Sequence, residues 1–271
     1  MTAIALPATE ARTTTPTRTR RGAGVRHFAH YLLHSWLMTL RDWSFLAFIM
    51  AMPVTIYLFF AGIYGDQLSQ GGVEVAAIMM VTMATYGALG AAMSAGNQIT
   101  NERSTGWFRQ LMVTALSPTQ FIVAKVLVAI GVVIPAIVVV FLAGAVRGVR
   151  MPVETWLASG SLVLLSLLPM VILGLTLGLW LKPAAAGAAT TLVMLALSML
   201  GGLWFPLEMM PEAMQTVGKL LPSYWAGRIG TWPLVGGDFP TQGVLVIGTW
   251  AVVLVGLGAL GYGRAVRTSR R

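Results

Sequence analysis

The sequence predicts an all-α membrane protein of six transmembrane helices, with an N-terminal amphipathic interfacial helix and a re-entrant or short-helix segment between helices five and six. Three observations predict it. Hydrophobic residues make up 56% of the chain and charged residues only 10%, where soluble domains carry about 25% charged residues. The apolar residues form long uncharged runs and not helical stripes, the pattern of segments surrounded by lipid. The basic residues also divide very unevenly between alternate connections, as they do across a bilayer.

An α-helix rises about 1.5 Å per residue, so about 20 apolar residues cross the hydrocarbon core. Six stretches reach that length: 45–64, 75–97, 121–146, 156–181, 184–206 and 243–263. None has Asp, Glu, His or Arg at its centre, and Lys125 stands only at the mouth of the third. Pro53, Pro135 and Pro169 fall inside spans. They are expected to kink helices and not to end them, because neighbours in a bundle satisfy the freed carbonyls.

Placing both termini in the cytoplasm puts Arg12, Arg18, Arg20, Arg21, Arg26, Arg41, Arg103, Arg109, Lys125, Lys182, Arg264, Arg267, Arg270 and Arg271 inside. Only Arg147, Arg150, Lys219 and Arg228 then remain outside, so 14 of the 18 basic residues are cytoplasmic. That asymmetry fixes an even number of spans with both ends inside. The net charge of +9 sits at the tails and beside apolar runs, which suits anionic lipid headgroups and not nucleic acid.

The organisation follows. Residues 1–24 are rich in Thr and Arg with no apolar core, which reads as a disordered cytoplasmic tail and not a signal peptide; the composition also fits a transit peptide. Residues 25–42 read as an amphipathic helix. Val25, Phe28, Leu32, Trp36 and Leu40 lie on one side, and His27, His30, His34 and Arg41 on another. Such a helix lies in the interface, with Trp36 at headgroup level. The six-helix transmembrane domain is 45–263, and 264–271 is a basic cytoplasmic tail. Between spans five and six, 207–242 is too long and apolar for an ordinary outer loop. Pro211 suits the first turn of a short helix there and Pro222 its end.

Several classes of chemistry are missing. The chain has no Cys, which removes disulfides, thiolate metal sites and Cys nucleophiles. His27, His30 and His34 share a helical face, yet no carboxylate accompanies them as a further ligand, so they read as the polar face of an interfacial helix and not as a metal site. No His-Glu-x-x-His, no Gly-x-Ser-x-Gly and no phosphate-binding loop is present. Small residues at Ala84, Ala88, Ala92 and Gly96, and the Gly174-Leu175-Thr176-Leu177-Gly178 segment, allow close helix approach. They fit packing within the subunit and a dimer seam equally. Thr82, Tyr86 and Ser94 in span two either line a path or hydrogen-bond between helices.

Ion-coupled carriers keep ionisable groups within the membrane. The span centres here hold none, so energy for uphill movement has to arrive from a cytoplasmic partner. The loop between spans two and three is suited to receive it. Trp107, Phe108 and Leu111 fit a groove on a partner, with Glu102, Arg103 and Arg109 as polar rim and Gly106 as the turn. An interfacial loop anchored by Trp107 is the other reading of the same residues.

These residues resemble a known pattern. Glu102-Arg103-Ser104-Thr105-Gly106-Trp107-Phe108-Arg109-Gln110-Leu111 followed by Thr114-Ala115-Leu116-Ser117 is similar to the E-R-x-x-G-T-L-x-x-L…T-P-L-S loop of ABC-2 type exporter permeases. Trp107, Phe108 and Ala115 depart from that family's usual residues. Gly201-Gly202-Leu203-Trp204-Phe205-Pro206, then Pro211, resembles its stretch after span five, and Leu221-Pro222-Ser223-Tyr224-Trp225 its next segment. The resemblance implies two permease subunits, alike or different, joined to two cytoplasmic ABC ATP-binding subunits in a cell (plasma or inner) membrane. This chain would bind no cofactor, with ATP and Mg held on the partner subunit. Its cargo would be a hydrophobic or amphipathic molecule such as a drug, lipid or glycolipid. By the same resemblance 25–42 is a connecting helix and 101–117 includes a coupling helix. Spans two and five line the path, with Thr82, Tyr86 and Ser94 along it and Phe205, Pro206 and Glu208 at its gate. Two other readings stand beside it: a lipid-modifying enzyme or scaffold at the interface using the histidine face, and a secondary carrier.

Overall fold

A computed structural model of the chain describes residues 32–269, apart from 40, 42, 70 and 106–117. The expectations for the tail 1–24, for His27 and His30, and for Gly106, Trp107, Phe108, Arg109 and Leu111 lie outside the described residues. The elements are α1 (32–39), α2 (Trp43–Tyr64), α3 (Val75–Ser104), α4 (Pro118–Arg147), α5 (Val153–Ser166), α6 (Leu168–Trp180), α7 (Pro183–Leu200), a 3-10 turn Leu207–Met209, α8 (Glu212–Lys219), α9 (Pro222–Val235) and α10 (Thr241–Ser269). Among the described residues the one β pairing is an isolated bridge between Leu68 and Glu74.

Among the described residues, five helical stretches are long and apolar enough to cross a membrane: Val75–Ser104, Ile122–Arg147, Val153–Trp180, Pro183–Leu200 and Thr241–Gly263. The apolar part of α2 counted on the same basis, Ile49–Tyr64, is shorter. The stretch Val153–Trp180 is broken at one residue. Pro169 has no N–H to give the preceding turn, so α5 stops at Ser166 and α6 begins at Leu168. Leu167 bridges them, its amide bonding to the Val163 carbonyl at 3.1 Å and its carbonyl accepting from Met170 at 2.9 Å. Pro53 and Pro135 leave α2 and α4 continuous.

The bundle is built around α3. A helix buried on every side cannot show an apolar stripe, and α3 instead carries small residues on many faces. Ala76, Ala77, Ala84, Gly87, Ala88, Gly90, Ala91, Ala92, Ala95 and Gly96 are all buried. That thin cylinder lets α2, α4, α6, α7 and α9 all pack along it. In its most apolar window α3 is 78% buried, against 11% for the Thr241–Gly263 part of α10, which is therefore peripheral.

The closest approach is between α3 and α6. A Cβ on Gly174 would lie 2.6 Å from the Met93 carbonyl oxygen, and one on Gly96 or Gly178 would overlap the opposing glycine backbone. Backbone cannot swing aside as a side chain can. The Gly174–Gly178 pair therefore makes a crossing inside the subunit.

After α7 the chain turns sharply. Gly202 has φ +68°, a conformation that glycine adopts without strain. The amides of Gly201, Gly202 and Leu203 satisfy the Leu197, Met199 and Ser198 carbonyls. Pro211 caps α8, as expected of a helix start. Pro222 does more than follow the end of α8: it is the first residue of α9, where a missing N–H costs nothing. α9 does not lie on the surface. Ser223, Ala226, Gly227, Ile229, Gly230 and Thr231 are buried, and a Cβ on Gly230 would meet Val163 at 2.5 Å and Val81 at 3.2 Å.

Candidate functional site

The site is assembled at the C-terminal end of α3, next to the 106–117 segment. Its floor is α1. Gln98 Nε2 donates to Thr39 Oγ1 at 2.8 Å, and that hydroxyl donates to the Ser35 carbonyl at 2.9 Å. Trp36 packs on α4, where a Cβ on Gly131 would overlap its indole. The inward face of α1 therefore centres on Ser35 and Thr39, with Leu32 packed against the core. Leu33, Leu37 and Met38 join His34 on the exposed side, because the small Ser35 and Thr39 allow closer approach to α3 than a row of large side chains would.

One turn further along α3, Glu102 Oε1 accepts from Lys125 Nζ of α4 at 2.6 Å. The Lys125 side chain is 1% exposed and that of Glu102 16%. An ammonium so buried needs a charge opposite it. Beside it, Arg103 Nη1 donates to the carbonyls of Gly178 at 2.6 Å and of Leu179 and Leu181 at 3.0 Å. The last carbonyls of a helix have no partner within it and carry the negative end of its dipole. A guanidinium at that end satisfies both needs. Glu102 and Arg103, read from sequence as a polar rim toward a partner, are both engaged within the chain.

The residues expected along a path are not gathered in one place. The Thr82 and Ser94 hydroxyls bond their own helix, to Met79 at 3.1 Å and Ala91 at 2.7 Å. Tyr86 is buried, with its hydroxyl 3.6 Å from Met52 Sδ and its ring edge-on to Trp204 at 5.4 Å. Phe205 is exposed and meets Phe60 of α2 edge-on at 5.5 Å. Pro206 and Glu208 are exposed on the same turn. Burial pushes the Tyr224 phenol pKa up; Arg228 opposes this and Glu208 adds to it. The turn after α7 thus ties together parts of α2, α3 and α9, with Tyr86 at its root.

Three residues at these junctions were assigned no contact or role from sequence: Lys125, Trp204 and Phe60. Lys125 had a signal, being a lone lysine at a span mouth just past the loop that Glu102 opens. Trp204 and Phe60 had none, since a large apolar residue near a span end is common.

Two comparisons bear on this arrangement. Residues 27–232 match the family model for ABC-2 type transporters. The chain is also similar to "Putative transport permease YvfS" of Bacillus subtilis (strain 168), with 30% identity over 211 residues, covering 77% of this chain and 85% of that protein. The match takes in α1, the Glu102–Lys125 and Arg103 contacts, the turn after α7 and most of α9. The chain belongs to the ABC-2 type transporter family.

Proposed function

We propose that this chain is the membrane-spanning permease subunit of an ATP-driven exporter for a hydrophobic or amphipathic molecule. It works as a homodimer or heterodimer in the cell membrane. The family carries the permease role, and its ABC character implies a separate ATP-binding subunit, which would hold ATP and Mg. In this reading α2 is the first of six spans, α5 and α6 together form the fourth, and both termini are cytoplasmic. The 14-to-4 division of basic residues supports that orientation. Segment 106–117 docks on the ATP-binding subunit through Trp107, Phe108 and Leu111, with Gly106 as the turn and Arg109 at the rim. The turn bearing Phe205, Pro206 and Glu208 acts as the outer gate.

The observation that carries this reading is the built base of that loop. A chain segment meant only to join two spans needs no buried ion pair and no capped neighbouring helix where it leaves the bundle. The test is affinity purification of the tagged chain from its native membrane. An ABC ATPase should co-purify, and Trp107→Ala with Phe108→Ala should weaken its retention by about tenfold or more, as loss of an aromatic anchor does. Unchanged retention in the double variant overturns the docking role of the loop.

A further inference from the structure

Glu102 and Arg103 are consecutive residues in the last turn of α3, and they hold different helices. Neighbouring side chains on a helix diverge by about 100°, so one turn reaches α4 through Glu102–Lys125 and α6 through Arg103. Glu102 lies four residues before the 106–117 segment and Lys125 eight residues after it, about two turns into α4. Their ion pair therefore ties the last turn of α3 to α4 near the base of the loop. Arg103 extends the same base to the Gly178, Leu179 and Leu181 carbonyls. Gly178 is also part of the crossing with Gly96, so the capped end of α6 continues directly into the tightest packing in the bundle.

We propose that Lys125 and Arg103 are positioning residues that convert movement of the loop into joint movement of α4 and α6. Neither acts by touching the ATP-binding subunit. This rests on the docking reading of the loop, and it names how motion would leave that loop. Without the ion pair, the loop moves while α4 stays. Without the cap, α3 and α4 move while the residues past the Gly178 crossing, Leu179 and Leu181, stay.

The test is hydrogen exchange of the intact complex with its ATP-binding subunit, with and without a non-hydrolysable ATP analogue. Wild type should show a nucleotide-linked change in peptides covering 118–128 and 176–182 together. The paired variant Glu102→Gln with Lys125→Met removes the ion pair without stranding a charge. It should reduce the 118–128 response by about threefold to tenfold and keep the 176–182 response. Arg103→Lys keeps the charge but loses the planar donor set, and should do the reverse. The swapped pair Glu102→Lys with Lys125→Glu should restore the 118–128 response. The proposal is overturned if both responses survive in both variants, or if the swap recovers thermal stability without the response. It is also overturned if either variant releases the ATP-binding subunit, which would make these direct docking contacts. Wild type that binds the subunit but shows no nucleotide-linked change at either helix overturns the transmission alone. Wild type that retains no ATP-binding subunit overturns the underlying reading.

Discussion

Gly96 of α3 and Gly174 of α6 meet with no side chain between them, so that a Cβ on Gly96 would overlap the Gly174 carbonyl. Their contact sets the separation of α3 and α6. It is also the point where the bundle tolerates added volume least.

Gly96→Leu is therefore expected to cost about 3 kcal/mol or more, since backbone would have to move to admit it. Gly187→Ala, a position with nothing within 4 Å of an added Cβ, should change stability by less than about 0.5 kcal/mol. Thermal unfolding of both purified variants in the same detergent checks the contrast. Equal stabilities would refute the crossing.

Lys125→Met alone leaves the Glu102 carboxylate facing a site shaped for a cation, and is expected to cost about 3–5 kcal/mol. Adding Glu102→Gln should recover most of that loss. A double-mutant cycle on unfolding free energy measures it, and additive losses would show that the two residues do not interact.

Trp204 Nε1 is buried without a hydrogen-bond partner among the described residues, while its ring packs on Tyr86. Trp204→Phe keeps a ring there and removes the unsatisfied donor, so it should be neutral within about 1 kcal/mol. Trp204→Ala should cost about 3–5 kcal/mol. Similar losses for both would mean that the indole N–H has a partner after all.

The absence of Cys makes topology directly measurable. Gln67→Cys and Asp238→Cys, both exposed in connections, should react with an impermeant maleimide on intact cells. Ser104→Cys, exposed at the end of α3, should react only after permeabilisation. Labelling of Ser104→Cys from outside would invert the orientation inferred from the basic residues.

How much of this was legible beforehand depended on the range of the physics. The apolar runs announce themselves because each must satisfy lipid along its own length, a local requirement. The break at Leu167 was partly visible, since Pro169 marks it. The fate of Gly174 and Gly178 was not, because paired glycines permit close approach without naming the helix that approaches. The burial of α9 was hidden for another reason. Its inward residues, Ser223, Ala226, Gly227 and Gly230, are small and not strongly apolar, so hydropathy passes over a helix that fits by thinness. Glu102 and Lys125 were each noticed, but their pairing depends on how two helices align across the loop. Trp36 was singled out, but no pattern in the sequence announced that the small Ser35 and Thr39 would form the inward face of α1.

The central position of α3 has a consequence for how the protein is made. It is the least apolar of the five long stretches, and it leaves the ribosome before α4, α6, α7 and α9, the neighbours that will cover most of it. During that interval a helix carrying Asn97, Gln98, Glu102 and Arg103, with the lowest mean hydropathy of the five, is held only weakly by lipid, and the carbonyls that Arg103 will cap do not yet exist. Its stable residence in the membrane thus comes late, when the later helices close around it. A defect in any of them should first appear as loss of newly made α3 to proteolysis.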